Sequence, residues 1–185
     1  MKIAYVFFND ITWLDFVGIY DPVSRLKKLD YLPGLSWDFC AYTLSVADHY
    51  GLSFKPQFID TTLAGYDVLI VPGGYGTRTL AQDKGFIQWL KTAEKVPLKT
   101  SICTGSLLLG AAGFLKDKKA TTHFSEYEVL GQFCREVSHD RIVDDGDVIT
   151  AGAVTSSIDL GLYLCEKWAG KAAAEDIRKR MDYRG

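Results

Sequence analysis

Short apolar runs separated by amphipathic stretches set the rhythm of this chain. Residues 2 to 8 form one run and Asp67 to Val71 another. Neither alternates, which is the pattern of strands buried on both faces of a parallel sheet. Leu98 to Ile102 reads as a third buried strand and Ser36 to Leu44 as a further one. Between them, Thr12 to Leu29 is broadly helical, with Asp21-Pro22 expected to end one helix and begin the next. Lys84 to Glu94 places Phe86, Ile87, Leu90 and Ala93 on one helical face. Val46 to Phe58 alternates weakly around Gly51 and reads as a small hairpin. Lys119 to Thr122 reads as a short strand, and Ser125 to Gln132 as a short helix with a capping box of Ser125 and Glu128. Arg141-Ile142-Val143 and Val148-Ile149-Thr150 flank the acidic turn Asp144 to Asp147, a hairpin signal. Ser156 to Trp168 and Ala172 to Met181 read as the last two helices, Ser156 and Asp159 forming a capping box in the first of them.

Strands alternating with helices predict an α/β sandwich around a mostly parallel sheet, with helices on both faces. The 185 residues suffice for one domain, and no repeat, linker or low-complexity stretch divides them, so residues 1–185 are expected to be a single unit. A net charge of -2 argues against a nucleic-acid or anionic membrane surface. No apolar run approaches the length of a membrane span. The N-terminus reads as a first strand rather than a leader peptide. Four cysteines show neither paired nor zinc-like spacing. Free thiols in a reducing cytoplasm, and no metal, are therefore expected.

The candidate chemistry centres on Ser101-Ile102-Cys103-Thr104-Gly105-Ser106. A strand runs into small residues and then into an apolar helical run, so Cys103 sits on a sharp strand-to-helix turn, like a nucleophile elbow with cysteine in place of serine. Helix N–H groups behind such a thiol should favour the thiolate. Pro72-Gly73-Gly74 ends the preceding strand, and its amides could face a reacting atom with no side chain in the way. Asp15 fits a capping box with Thr12, yet Trp13, Leu14, Phe16 and Val17 give it an apolar setting that would raise its pKa. A protonated Asp15 beside Cys103 could donate to the sulfur and act as general acid and base. His123, after a short strand, and Thr104, beside the thiol, complete the set. The segments Asp10 to Asp15, Pro72 to Gly76 and Cys103-Thr104 all follow strands, where ligands bind in such folds. Cys40, Cys134 and Cys165 read as small buried hydrophobes, while His49 and His139 read as solvated.

Together, Ile70-Val71-Pro72-Gly73-Gly74, Ser101 to Ser106 and Ala120-Thr121-Thr122-His123 resemble the ThiJ/PfpI superfamily in order and spacing, over nearly the whole chain. Leu14-Asp15-Phe16-Val17-Gly18 and Cys103 to Gly113 are most similar to its isocyanide hydratases. Protease-like and glyoxalase-like members carry His after the nucleophile and Glu on the first helix; here Thr104 and Asp15 stand in those places. The resemblance implies a flavodoxin-like sandwich and a cofactor-independent, homodimeric enzyme acting on a small molecule. It also implies Cys103, Asp15 and Thr104 as catalytic groups, with Gly73, Gly74 and His123 around the substrate. Glyoxalase, deglycase or amidase chemistry on the same cysteine, and a redox sensor, are the alternative expectations. Related domains at the front of AraC-type regulators precede a DNA-binding region, for which the C-terminal helix here is expected to be too short. Trp13 and Phe16 are expected at the substrate entrance, and the aromatics near the N-terminus at the dimer contact.

Overall fold

The computed structural model describes residues 1–185. In chain order the strands are β1 (Lys2–Phe7), β2 (Ser36–Ala41), β3 (Val46–Ala47), β4 (Ser53–Phe54), β5 (Phe58–Ile59), β6 (Val68–Val71), β7 (Leu98–Ile102), β8 (Lys119–Ala120), β9 (Glu136–Val137), β10 (Ile142–Asp144) and β11 (Val148–Ala151). The helices are α1 (Trp13–Lys28), α2 (Thr77–Leu80), α3 (Lys84–Lys91), α4 (Gly105–Ala111), α5 (Tyr127–Leu130), α6 (Ser156–Ala169) and α7 (Lys171–Arg180), with a 3₁₀ turn at Phe124–Glu126. The main sheet has seven strands in the order β10-β11-β7-β6-β1-β2-β5. All neighbours are parallel except the β10–β11 hairpin. The chain steps from β1 outward to β2, then returns to β6 on the other side of β1. That reversal opens a crevice at the carboxyl ends of β1 and β6, where open α/β sheets hold ligands.

Alternation along β1 divides its side chains between the two faces. Tyr5 and Phe7 meet the edge of Phe16 on α1 at 5.3 and 4.7 Å between ring centroids. Phe8, of opposite parity, meets Phe86 on α3 at 6.3 Å. The sheet therefore carries α1 on one face and α3 on the other, and its buried hydrophobics form one contiguous cluster. The aromatics near the N-terminus pack on each other: Phe7 stacks on Phe39 at 5.5 Å and meets Trp13 and Phe54 at 5.6 and 5.2 Å. Phe7 and Phe16 belong to the core, and Trp13, Phe39 and Phe54 pack against it partly buried.

Several local expectations are corrected by tertiary packing. Helix α1 runs unbroken through Pro22. Proline removes the hydrogen bond to the carbonyl four residues back, that of Gly18, and crowds it. Helix α6 packs closely on this face of α1. Ser157 Oγ donates to Leu14 O (3.1 Å) and Cys165 Sγ to Pro22 O (3.4 Å). Gly161 lets the proline ring in, since a Cβ there would stand 2.4 Å from Pro22 Cγ. The capping boxes do not form either. Asp159 accepts from Arg141 Nε (2.6 Å) and Tyr183 Oη (2.8 Å). His123, not Ser125, caps the 3₁₀ turn by accepting the Ser125 N–H. Strands β5 and β9 have two residues each, too few for periodicity to mark, and β3 and β4 form only part of the hairpin expected over 46–58.

Gly161→Ala separates packing from propensity. Alanine gains about 1 kcal/mol in an isolated helix, whereas forcing a methyl into a full contact costs about 1–3 kcal/mol. With 2.4 Å to the proline ring, packing should win and the urea midpoint should fall; an unchanged or raised midpoint would contradict this account of the α1–α6 crossing.

Candidate active site

Three post-strand segments converge at the crevice. The loop after β1 pairs with the turn after β6: Ile11 bridges Gly74 in antiparallel fashion, and Thr12 N–H donates to Gly73 O at 2.9 Å. Gly74 has φ +148°, and a Cβ there would stand 2.2 Å from Asp10 O, so only glycine fits. This pairing delivers the first turn of α1, and with it Asp15, to the end of β7. Helix α4 starts in contact with the same turn, since a Cβ on Gly105 would lie 2.2 Å from Val71 O.

Cys103 occupies the bend between β7 and α4 with φ +52°, a left-handed conformation that costs a side-chain-bearing residue about 1–3 kcal/mol. The surroundings hold it there. Its N–H donates to Ala151 O and Gly152 O (3.0 and 2.9 Å). Its carbonyl accepts from Ser106 Oγ and Thr122 Oγ1 (3.2 and 2.9 Å). Asp15 is fully buried. Its Oδ2 accepts the Gly73 N–H at 2.9 Å, and Oδ1 has no nitrogen or oxygen partner. Gly73 lies between carboxyl and cysteine: a Cβ there would be 2.7 Å from Asp15 Oδ2 and 2.8 Å from Cys103 Cβ. Asp15 therefore serves this junction rather than capping α1.

Thr104 ties the turn to the thiol. Its hydroxyl accepts the Gly74 N–H and donates to Gly74 O, both at 3.0 Å. Gly74 O already receives Thr77 Oγ1 at 2.8 Å and Thr77 N–H at 3.3 Å. The Thr104 proton can therefore turn to the sulfur without stranding that carbonyl. The Gly73 and Gly74 amides, expected to face a reacting atom, instead hold Asp15 and Thr104.

The electrostatics depart from expectation in one respect. Burial pushes Asp15 up to about 7, against the opposing pull of the Gly73 N–H and the Cys103 thiol. That agrees with the apolar setting of its segment. Cys103, expected to ionise easily, is instead pushed up to about 12, first by burial and then by the Asp15 charge. Thr104 and Arg78 pull it only partway back. Helix α4 has seven residues, and its field does not offset the loss of water around a thiolate. The pair thus releases one proton near neutrality and keeps the other.

A pocket of about 220 Å³ opens over Cys103, and Thr12, Tyr75, Arg78, His123, Ser125 and Val154 are among the residues that line it. His123 reaches the site through this wall, its Nδ1 accepting the Ser125 N–H at 3.2 Å. Trp13 and Phe16 are absent from the lining; Trp13 Nε1 donates to Leu52 O at 3.1 Å and Phe16 packs in the core. Arg78 is the residue that sequence reasoning missed. It lies in a four-residue helix without periodicity, and only its place just after Pro72 to Gly76 could have marked it. Cys40 and Cys165 are buried, Cys134 partly so, and all are free thiols. His49 is exposed beside Asp10, and His139 stacks on Tyr127 at 4.3 Å, both away from the pocket. No group of three or more His, Cys, Asp or Glu side chains is arranged to hold a metal, and no helix is long and apolar enough to cross a membrane.

Comparison with known proteins places this geometry in context. A family model described as DJ-1/PfpI family matches residues 19–167. Isonitrile hydratase of Pseudomonas putida is 34% identical over 185 residues, 99% of this chain and 78% of that protein. Protein DJ-1alpha of Drosophila melanogaster is 28% identical over 122 residues, 65% of this chain and 56% of that one. Among solved structures, a ThiJ/PfpI family protein from Pseudomonas syringae superposes with TM-score 0.89 at 30% identity, covering 100% of this chain and 75% of that one. Drosophila melanogaster DJ-1beta shares the fold with TM-score 0.83 at 18% identity, covering 100% and 98%.

The buried carboxyl carries a stability signature. A group whose folded pKa is about 7 against an ordinary 3.8 binds its proton more tightly when folded, so native stability falls as pH rises from about 4 to 7. Asp15→Asn removes that titration while keeping an acceptor for Gly73. It should stabilise the protein by about 1–4 kcal/mol at pH 8 and by much less at pH 4. Urea unfolding at both pH values checks this; equal effects at the two would show that the carboxyl is not held protonated.

Proposed function

The chain belongs to the DJ-1/PfpI family, and from that premise we propose that it hydrates a small organic isocyanide, R–N≡C, to the N-substituted formamide with Cys103 as nucleophile. The observation that carries this reading is the Asp15–Cys103 pair, two buried titratable groups at one glycine with room for a single proton near neutrality. Isocyanide hydration needs such a pair, because the terminal carbon must accept a nucleophile and a proton in one step.

The sulfur attacks the terminal carbon while the thiol proton passes through Asp15 to that same carbon, giving the thioimidate R–N=CH–S–Cys103. Asp15, left as carboxylate, takes a proton from water as the oxygen adds to the carbon and delivers it to nitrogen. The C–S bond of R–NH–CH(OH)–S–Cys103 then breaks, the formamide carbonyl forms, and the hydroxyl proton returns to the pair. Atoms and charges balance with no external oxidant or cofactor. Thr104, through its amide and its turning hydroxyl, supports the sulfur as charge builds there.

The main alternative outside this chemistry is a redox sensor, which works best with an exposed, readily ionised thiol. Cys103 is 4% exposed and its thiol is pushed up to about 12, which favours an enzyme whose substrate meets the sulfur inside a pocket.

Turnover of a simple neutral isocyanide, followed by loss of its infrared signal, should fall by at least about 10³-fold in Cys103→Ala and in Asp15→Asn. With Asp15 pushed up to about 7, kcat/KM should rise about tenfold per pH unit below that value and level off above it, as the pair drops to one proton. No turnover by the wild type, or full activity without Asp15, contradicts the proposal. Pairing of two copies is part of the same reading; light scattering that shows a monomer at micromolar concentration removes it.

A further inference from the structure

The wall of the Cys103 pocket mixes polar and apolar groups. Thr12, Arg78, His123 and Ser125 supply polar side chains, while Tyr75 and Val154 supply apolar surface. Its volume of about 220 Å³ lies below the roughly 300–1,000 Å³ common for ligand sites, so a short substrate fits better than a long one.

Arg78 is held in a defined place at this wall. Glu126 Oε1 accepts from both Nε (3.1 Å) and Nη2 (2.5 Å), and the Tyr75 ring lies 5.5 Å from the guanidinium carbon. Ser125 Oγ donates to the same Glu126 oxygen at 3.3 Å, which links the carboxylate to the His123 turn. These contacts fix the plane of the guanidinium but leave Nη1 with no protein partner. The Arg78 side chain remains 41% exposed while Glu126 is 12% exposed. A preset guanidinium with a free edge at a pocket wall suits a planar oxyanion. His123 adds a second polar group to this wall, its Nδ1 lying 3.2 Å from the Ser125 nitrogen and 2.9 Å from Ser125 Oγ. Thr12, whose side chain makes no hydrogen bond within the protein, also lines this wall.

We propose that Arg78 is a specificity residue and that the pocket selects a small substrate bearing a carboxylate near the carbon that Cys103 attacks. On the isocyanide reading this makes the substrate class short isocyano carboxylates; the anion preference itself rests only on the pocket. The guanidinium binds the carboxylate equally in ground and transition states, so its loss appears in KM rather than kcat.

Alkylation of Cys103 tests the pocket without relying on turnover. The sulfur displaces iodide from iodoacetate or from iodoacetamide, releasing one proton in each case, so the thiol pKa cancels in the ratio of the two rates. Relative to the same ratio for glutathione, the wild type should favour iodoacetate by about tenfold, with Cys103→Ala confirming the site by mass. Arg78→Met should bring the ratio to that of glutathione. Glu126→Gln, which leaves the guanidinium uncompensated, should raise it and serves if Arg78→Met does not fold. A wild-type ratio at or below that of glutathione, or one unchanged in Arg78→Met, overturns the inference. Isocyanoacetate and its ethyl ester then separate the two claims. A lower KM for the acid that disappears in Arg78→Met supports both; turnover of both compounds with equal KM overturns the carboxylate preference alone. If neither turns over while the alkylation preference holds, the hydratase reading fails and anion recognition stands.

Discussion

A dry site cannot hold two negative charges beside each other, and the architecture around Cys103 follows from that constraint. Asp15 and Cys103 flank Gly73, with no space for a side chain between them and water excluded from the carboxyl. The outcome is a pair that keeps one proton across the neutral range. The proton can reside on sulfur or on oxygen, and the difference between those arrangements is what an addition to an electrophilic carbon uses. The parallel sheet supplies the means. It ends β1, β6 and β7 at one crevice, and the bridge between Ile11 and Gly74 brings the first turn of α1 against the elbow.

The arrangement is held against its own cost. Cys103 has a left-handed backbone, Asp15 is fully buried, and Gly73 and Gly74 give their amides to Asp15 and Thr104. The left-handed backbone and the buried carboxyl would each lower stability alone. Their concentration at one pocket, fixed by hydrogen bonds to both sides of the Cys103 peptide, is the pattern of a site built for chemistry. The same pocket carries a fixed guanidinium at its wall, so the reacting sulfur and the feature that would choose the substrate come from different segments, the β7–α4 bend and α2.

Much of the fold was legible because burial on both faces leaves a mark in sequence. The runs at β1 and β6 have no alternation, and the small residues after β7 announce the elbow at Cys103. The convergence of Asp15, Gly73 and Cys103 could be anticipated from their places after strands. What failed was whatever depends on a distant neighbour. Pro22 argued for a break in α1, but Gly161 on α6 gives its ring space. Asp15 and Asp159 had capping spacing, yet each meets partners from other elements. The Cys103 thiol illustrates the limit best. Local sequence shows the helix that follows and the sign of its field, whereas the larger effect, removal of water, belongs to the assembled fold. Arg78 left no periodic signal, because a single charged residue in a four-residue helix has no period to reveal its direction.

The central claim is that the buried pair holds one proton near neutrality. Its most direct measurement follows the Asp15 carboxyl by carbon-13 NMR on aspartate-labelled protein from pH 5 to 9, with Asp15→Asn identifying the resonance and ultraviolet absorbance reporting thiolate. The account predicts a carboxyl midpoint near 7, where burial pushes Asp15, with no thiolate over the same range. A carboxyl already ionised at pH 5, or a thiolate that appears below pH 8, would contradict it.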